Sequence, residues 1–252
     1  MCTRVKNTVL VLFHLFTVLC HNQRMSANLR ARVRAELTEE IKATARRRLA
    51  VDGANLAIRA VARDMDLVPS ALYRYFASRD ELLTALIMDA YQALGAAAEQ
   101  AAAAVPTGRY RKRWLAIGHA VRDWALANAP EYALLYGSPV PGYAAPAGTI
   151  APASRVILAL AAVLSDAAAA GVLGQRRLPS ALRPDLDRLI RDAGERPAPA
   201  TRAVLTGALT AWVHLFGLVS FEVFNRLDDM IAARAEYFDH QMNLMADLAG
   251  LP

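Results

Sequence analysis

The sequence predicts an all-α fold: an N-terminal three-helix helix-turn-helix domain, joined by a long helix to a larger helical bundle. Three observations carry this. Apolar residues make up 55% of the chain and are rich in alanine. They recur at spacings of three and four through most of its length, and no stretch alternates with a period of two between turn residues. At 252 residues the chain has room for one large domain or for a small and a larger one. Its punctuation divides it into a 25–80 head, an 81–106 connecting helix and a 107–252 remainder.

Residues 1–24 are set apart. Arg4 and Lys6 precede the apolar run Val9–Leu19, as in a signal peptide, but the run is too short to span a bilayer and no small-x-small site follows it. Leu19 is also too bulky for the position before a lipidated Cys20. A second methionine stands at Met25 after a polar, basic stretch. The segment is therefore expected to be a non-native or disordered extension produced by a mis-assigned start, not a membrane anchor.

The head begins with an amphipathic helix at Ala35–Ala50, where Leu37, Ile41, Ala45 and Leu49 recur every four residues. Gly53 supplies the left-handed conformation that ends it. A shorter helix follows, with Ile58, Val61, Ala62 and Met65 on one face, and Asp66-Leu67-Val68 interrupts it. Pro69 suits the first turn of a third helix, which is expected to run through Phe76. On a wheel of about 100° per residue, Leu72 and Phe76 point inward while Ser70 and Arg74 point outward. Ser78-Arg79-Asp80-Glu81 has capping-box spacing and starts the long fourth helix, which stops before Pro106.

Beyond Pro106 the pattern predicts helices at Tyr110–Ala127 and Glu131–Tyr136, then a loop rich in Gly and Pro at Gly137–Pro152. Another helix follows at Ser154–Ala170, closed by Gly171. Four prolines break Gln175–Pro199, leaving a short helix near Asp185–Asp192. Two long helices, Thr201–Asn225 and Asp229–Ala249, end the chain.

Charge is unevenly spread. The net value is +6, but Met25–Arg79 holds 11 Lys/Arg against 6 Asp/Glu whereas Asp80–Pro252 holds 15 against 17. The basic excess thus sits in the head, which suits a polyanionic partner. Both cysteines, Cys2 and Cys20, lie in the extension, so no disulfide framework is implied and a reducing cytoplasm fits. The chain shows no phosphate-binding glycine loop, no nucleophile elbow and no paired metal ligands at helical spacing. Glu222 and Asp239-His240 come nearest to a catalytic set, yet adjacent helical residues diverge in direction. No catalytic residue, metal or cofactor is expected.

A basic helix-turn-helix has a direct use, because its second helix fits the major groove while arginines and helix N-termini meet phosphates. The stretch Val61-Ala62-Arg63-Asp64 through Leu72-Tyr73-Arg74-Tyr75-Phe76-Ala77-Ser78-Arg79-Asp80-Glu81-Leu82-Leu83 closely resembles the DNA-binding motif of the tetracycline-repressor (TetR) family. The resemblance implies that Pro69, Ser70 and Ala71 open the recognition helix against base edges. It implies phosphate contacts from the hydroxyls of Tyr73 and Tyr75, and from Arg79 where the family commonly has lysine. Arg74, by its outward direction alone, reaches either a guanine or a phosphate. Three positions depart from the family pattern: Asp66 stands for glycine, Val68 for Ser/Thr, and Ala57 for a hydroxyl cap.

In the remainder, Ala211-Trp212-Val213-His214-Leu215-Phe216-Gly217-Leu218-Val219-Ser220-Phe221-Glu222 looks like the C-terminal signature of that family's WHG branch, and Gly137–Pro146 resembles its central loop. Phe216 replaces the expected histidine, and His214 is not its substitute. The resemblance implies an effector-binding and dimerising domain over 107–252. The stripe Val204, Gly207, Ala208, Leu215, Val219 and Val223 suits either a four-helix dimer seam or burial within one subunit. Trp114, His119, Trp124, Tyr132, Tyr136, Tyr143, Trp212 and Phe216 are the candidates for a pocket taking a small apolar or aromatic effector, each weighed against ordinary core packing. The expected function is a cytoplasmic, ligand-responsive repressor that binds a near-palindromic double-stranded DNA operator as a homodimer. The alternative is a helical binding or scaffolding protein without operator recognition, and separate head and body features favour the first.

Overall fold

A computed structural model describes the backbone of residues 3–174 and 178–252, and the side chains of these from residue 28 onward, Ala54 apart. Among the described residues the chain is helical, with no strand. It divides into two compact units, a head of Met1–Asp52 with Leu56–Leu82 and a body of Gly53–Asn55 with Leu83–Pro252.

In the head, α1 spans Thr3–Asp52. It starts far earlier than Ala35, and from Thr3 on it takes in the backbone of the expected extension; Met1 and Cys2 lie outside the described residues. No glycine or proline occurs between Thr3 and Asp52 to stop it. Ile41, Ala45 and Leu49 are buried along one face, as is Thr44, whose hydroxyl accepts from Arg47 Nη2 at 2.7 Å. Gly53 then turns the chain with φ +55°.

Helix α2, Ile58–Asp64, buries Ile58, Val61 and Ala62. It ends as Asp66 enters the left-handed region at φ 54°, so that the Leu67 amide donates back to the Ala62 carbonyl at 2.9 Å. An aspartate tolerates this better than a branched residue. Neither Ala57 nor Val68 makes a side-chain cap. Helix α3 covers only Pro69–Leu72, shorter than the run to Phe76 that the pattern predicts. Past Leu72 the chain tightens: Tyr75 N donates to Leu72 O at 2.8 Å, and the Arg74 carbonyl is taken by Arg34 Nη2 at 2.9 Å. Phe76 N donates to the same Leu72 carbonyl at 3.0 Å, so that one acceptor is shared where the regular helix ends. Leu72 and Phe76 are nevertheless buried as the wheel predicts.

Helix α4 spans Arg79–Ala103, and half of the expected capping box forms: Glu81 N donates to Ser78 Oγ at 3.1 Å, while the Glu81 carboxylate accepts from Ala77 N at 2.5 Å, one residue before the Ser78 amide. The body continues with α5 (Tyr110–Ala127), α6 (Ala129–Tyr136), the one-turn α7 (Ile150–Ala153), α8 (Arg155–Ala169), α9 (Arg183–Asp192), α10 (Pro199–Val223) and α11 (Arg234–Ala249). The central strut is α10, which packs on α5, α8, α9 and α11. Two glycines permit the closest approaches. A Cβ on Gly118 would lie 2.4 Å from Met242 Cε, and one on Gly207 would lie 2.9 Å from Leu164 Cδ1.

This packing corrects the expected dimer seam. Val204, Gly207, Ala208, Leu215 and Val219 are buried inside their own subunit, and Val223 is half-buried against the same core. Their four-residue spacing describes the face of α10 that meets α8 and α11. A second apolar face, at Val213, Phe221 and Phe224, is exposed instead, with Gly217 on the same side and nothing within 4 Å of where its Cβ would stand.

The C-terminus is closed by Gly250 at φ +82°. Its carbonyl accepts from Gly174 N at 2.8 Å, and an added Cβ would stand 2.5 Å from Gly174 O. Left-handed strain and backbone overlap add here, so Gly250→Ala is expected to lower stability by about 2 kcal/mol or more. Urea unfolding measures this, and a loss below about 0.5 kcal/mol, the usual surface background, would refute the close approach.

Candidate nucleic-acid interface and ligand cavity

The recognition segment projects from the head. Pro69, Ser70 and Arg74 are exposed and Ala71 is half-buried. Tyr73 is 48% exposed, which is high for an aromatic side chain in a packed domain and leaves its hydroxyl open to a polar partner. Tyr75 is half-buried, with the Arg34 guanidinium 5.1 Å above its ring. Arg79 is partly turned in, its Nε donating to Leu56 O at 2.9 Å.

Two arginines that sequence reasoning passed over hold this surface in place. Arg34 grips both the Arg74 carbonyl and the Tyr75 ring. Arg48 makes a two-pronged pair with Asp64, through Nε to Oδ2 and through Nη2 to Oδ1 at 2.5 Å, joining α1 to the end of α2. The hydrogen bond from Arg48 holds the Asp64 carboxyl below its ordinary pKa. No periodicity signals either contact, because both depend on which outward faces the turns bring together.

A second feature lies wholly in the body. A partly open cavity of about 650 Å³ is walled by Ile87 and Tyr91 of α4, by the loop residues Pro139, Val140 and Tyr143, by Ile150 and Ile157, and by Trp212 of α10. Among the described residues no charged side chain lines it. Its hydroxyls are mostly engaged: Tyr143 Oη lies 2.9 Å from Thr84 Oγ1, Thr149 donates to Pro146 O at 2.8 Å and Ser154 to Ile150 O at 2.9 Å. The Trp212 indole N–H is shielded from water and has no hydrogen-bond partner, a condition that costs about 1–3 kcal/mol. Burial raises the Tyr91 phenol above its ordinary pKa, so it is neutral at physiological pH.

Of the eight pocket candidates only Tyr143 and Trp212 reach this wall. Trp114 is fully buried and donates to Met242 O at 3.2 Å. His119 Nε2 faces Asp239 Oδ1 at 2.7 Å, and Trp124 is half-buried against the core. Tyr132 sits in the core, its hydroxyl 2.8 Å from Ser220 Oγ, and its pKa is pushed up to about 12 by burial. Tyr136 and Phe216 pack on each other, ring centroids 4.3 Å apart. These aromatics are the wedges between α5, α6, α10 and α11. The lining instead comes from the Gly- and Pro-rich loop and from α4, and the loop's composition was its one advance signal.

The three-helix head, with its third helix turned outward, is that of a helix-turn-helix protein. The tetracyclin repressor-like C-terminal domain matches residues 114–245. The HTH-type transcriptional regulator Rv1816 of Mycobacterium tuberculosis is 38% identical over 221 residues, spanning 84% of this chain and 92% of that protein. The crystal structure of the regulatory protein SCO4313 superposes with a TM-score of 0.68 at 34% identity, covering 85% of this chain and 97% of that one. A regulatory protein of the tetR family from Rhodococcus RHA1 shares the fold, with a TM-score of 0.61 at 15% identity and coverage of 85% and 97%. This chain belongs to the TetR family of transcriptional regulators.

The Arg48–Asp64 pair gives the head a pH signature. Because the folded pKa of Asp64 is depressed, its contribution is present above the unfolded value of about 3.9 and is lost as pH falls through the folded value. Asp64→Asn is expected to lower stability at neutral pH and to flatten the decline between about pH 5 and pH 2. Urea midpoints across that range provide the measurement, and parallel curves for the two proteins would exclude the pair as a source.

Proposed function

We propose that this regulator is a cytoplasmic homodimeric repressor, reading two half-sites of a near-palindromic operator with Pro69–Arg74 and releasing it when a small effector fills the body cavity. The observation that carries the DNA half is the exposure of Ser70, Tyr73 and Arg74 on a segment whose backbone is held by Arg34. In this reading Pro69, Ser70 and Ala71 approach base edges, and Tyr73 and Tyr75 donate to phosphates. Arg79 acts mainly by fixing the start of α4, since its Nε is engaged with Leu56 O.

The dimer is supported by α10. Only 33% of its most apolar stretch is buried within the subunit, and a helix apolar on both faces calls for a second partner. Val213, Gly217 and Phe221 are its free face, which fits a two-fold seam against another copy. The effector response is supported by α4, which starts at the capping box beside the recognition segment and carries Ile87 and Tyr91 into the cavity wall. Further along, Arg155 grips Glu99 and the Gln92 carbonyl at 2.8 Å, with Gly95 packed under its side chain. An occupant pressing on Ile87 and Tyr91 meets a helix pinned at that point, so the helix tilts and changes the spacing of the two heads.

The test is binding to the DNA flanking the protein's own gene across a salt series, since a phosphate-gripping regulator loses affinity steeply as salt rises. Failure to bind any fragment more tightly than random duplex at moderate salt defeats the proposal in favour of a scaffolding role. Tyr73→Phe is expected to weaken all sequences alike, by about tenfold, while Ser70→Ala or Arg74→Ala changes which sequence is preferred at a cost of about 1–3 kcal/mol. The opposite pattern in a competition assay reverses the roles. Phe221→Glu, which puts a charge on the exposed face of α10, is expected to leave the fold intact and give monomers. Sedimentation showing an unchanged dimer would move the seam elsewhere.

A further inference from the structure

We infer that the effector is a neutral molecule with an apolar body and one hydroxyl or carbonyl group, and that the hydroxyl of Tyr91 recognises that group. This rests on the cavity being the effector site and goes beyond it by naming the ligand's chemistry and the residue that reads it. The described lining holds no cationic or anionic side chain, so an ionised ligand would lose hydration without gaining a counter-charge. Ile87, Leu134, Val140, Ile150 and Ile157 form an apolar wall that favours an apolar body.

The polar group follows from the wall's hydroxyls. Among the described residues five line the cavity, on Tyr91, Ser138, Tyr143, Thr149 and Ser154. Tyr143 lies against Thr84, and Thr149 and Ser154 donate to main-chain carbonyls. Ser138 is exposed on the loop, so water serves it whatever the cavity holds. The Trp212 N–H is sealed off and takes no part. Tyr91 is different. Its hydroxyl has no hydrogen-bond partner among the described residues, yet it is not one of the atoms shut away from solvent. Its ring is held edge-on against Tyr136, centroids 6.1 Å apart. Burial first, and then the phenol of Tyr143 on the same wall, raise its pKa, which keeps its proton in place as a donor. A ring packed on one side and a free hydroxyl near Tyr143 put that donor on the cavity surface. An apolar ligand expels the water that meets this hydroxyl and leaves the phenol unpaired, whereas a hydroxyl or carbonyl replaces the bond. Discrimination by such a group is stronger than discrimination by shape.

The experiment uses the full-length protein at neutral pH and three probes of one shape: 2-naphthol, 2-methylnaphthalene and 2-naphthoate. Equilibrium dialysis gives their affinities, and 13C spectra of protein labelled at the tyrosine ζ carbon, with Tyr91 assigned through Tyr91→Phe, report on the hydroxyl directly. The naphthol is expected to bind about tenfold tighter than either of the others and to move the Tyr91 signal further than the methyl compound does. Tyr91→Phe levels the naphthol with the methyl compound, whereas Ser138→Ala preserves the preference. Equal affinities for the three, tightest binding by naphthoate, or a naphthol preference that survives Tyr91→Phe or is lost with Ser138→Ala overturns the inference while leaving the cavity an effector site. No binding by any probe, with operator affinity unchanged on adding them, overturns the inference and the effector reading together.

Discussion

The body depends on the double apolar burden of α10. One face, through Val204, Ala208, Leu215 and Val219, is buried among α5, α8 and α11, and it sets where those helices stand. Smaller contacts then lock the arrangement. Tyr132 donates to Phe216 O at 3.2 Å, joining α6 to α10, and Arg202 pairs with Asp187 to hold α9. Arg122 meets the buried Glu222 through two hydrogen bonds. That pair stabilises both charges where a lone carboxylate at such depth would not persist. With one face committed to the core, the opposite face with Val213 and Phe221 is left over.

Arginine ties many of the elements together. In several places a guanidinium donates to a main-chain carbonyl of another segment. Arg34 serves Arg74, Arg79 serves Leu56, Arg155 serves Gln92, and Arg111 serves both Leu251 and Pro252. A fork of five donors suits this task, since one side chain can meet a carbonyl and a carboxylate together. The consequence for the head is that its basic excess overstates what is free for a polyanion. Arg34, Arg48 and Arg79 hold the scaffold, whereas Arg59, Arg63 and Arg74 stand exposed.

Helix positions were largely legible because three- and four-residue spacing and glycine stops are local signals. Helix α5 was read to the residue, and the left-handed turns at Gly53, Asp66 and Gly171 follow from their residue types. The length of α3 was not legible, because past Leu72 the chain tightens into turns that share the Leu72 carbonyl, and apolar spacing does not register that change. The seam failed for a different reason. Two faces of α10 are both apolar, and spacing alone does not say which one meets its own subunit. The cavity failed likewise: aromatic residues were the natural candidates, yet tight packing absorbs large rings, and space remains where a Gly- and Pro-rich loop bridges helices without filling the gap.

Many of the body's charges are spent on one another. Arg113 meets Asp166 at 2.5 Å on α8, Arg111 meets Asp247 at 2.5 Å on α11 and His119 faces Asp239, and none of these residues lines the cavity. The nearest charge in sequence is Arg155, one residue from the lining residue Ser154. Its guanidinium is held by Glu99 and the Gln92 carbonyl. The bond that fixes α4 on α8 therefore also engages the charge that lies nearest the described lining residues in sequence. The helix that carries Ile87 and Tyr91 into the cavity wall is thus held by an arginine that does not itself line the cavity.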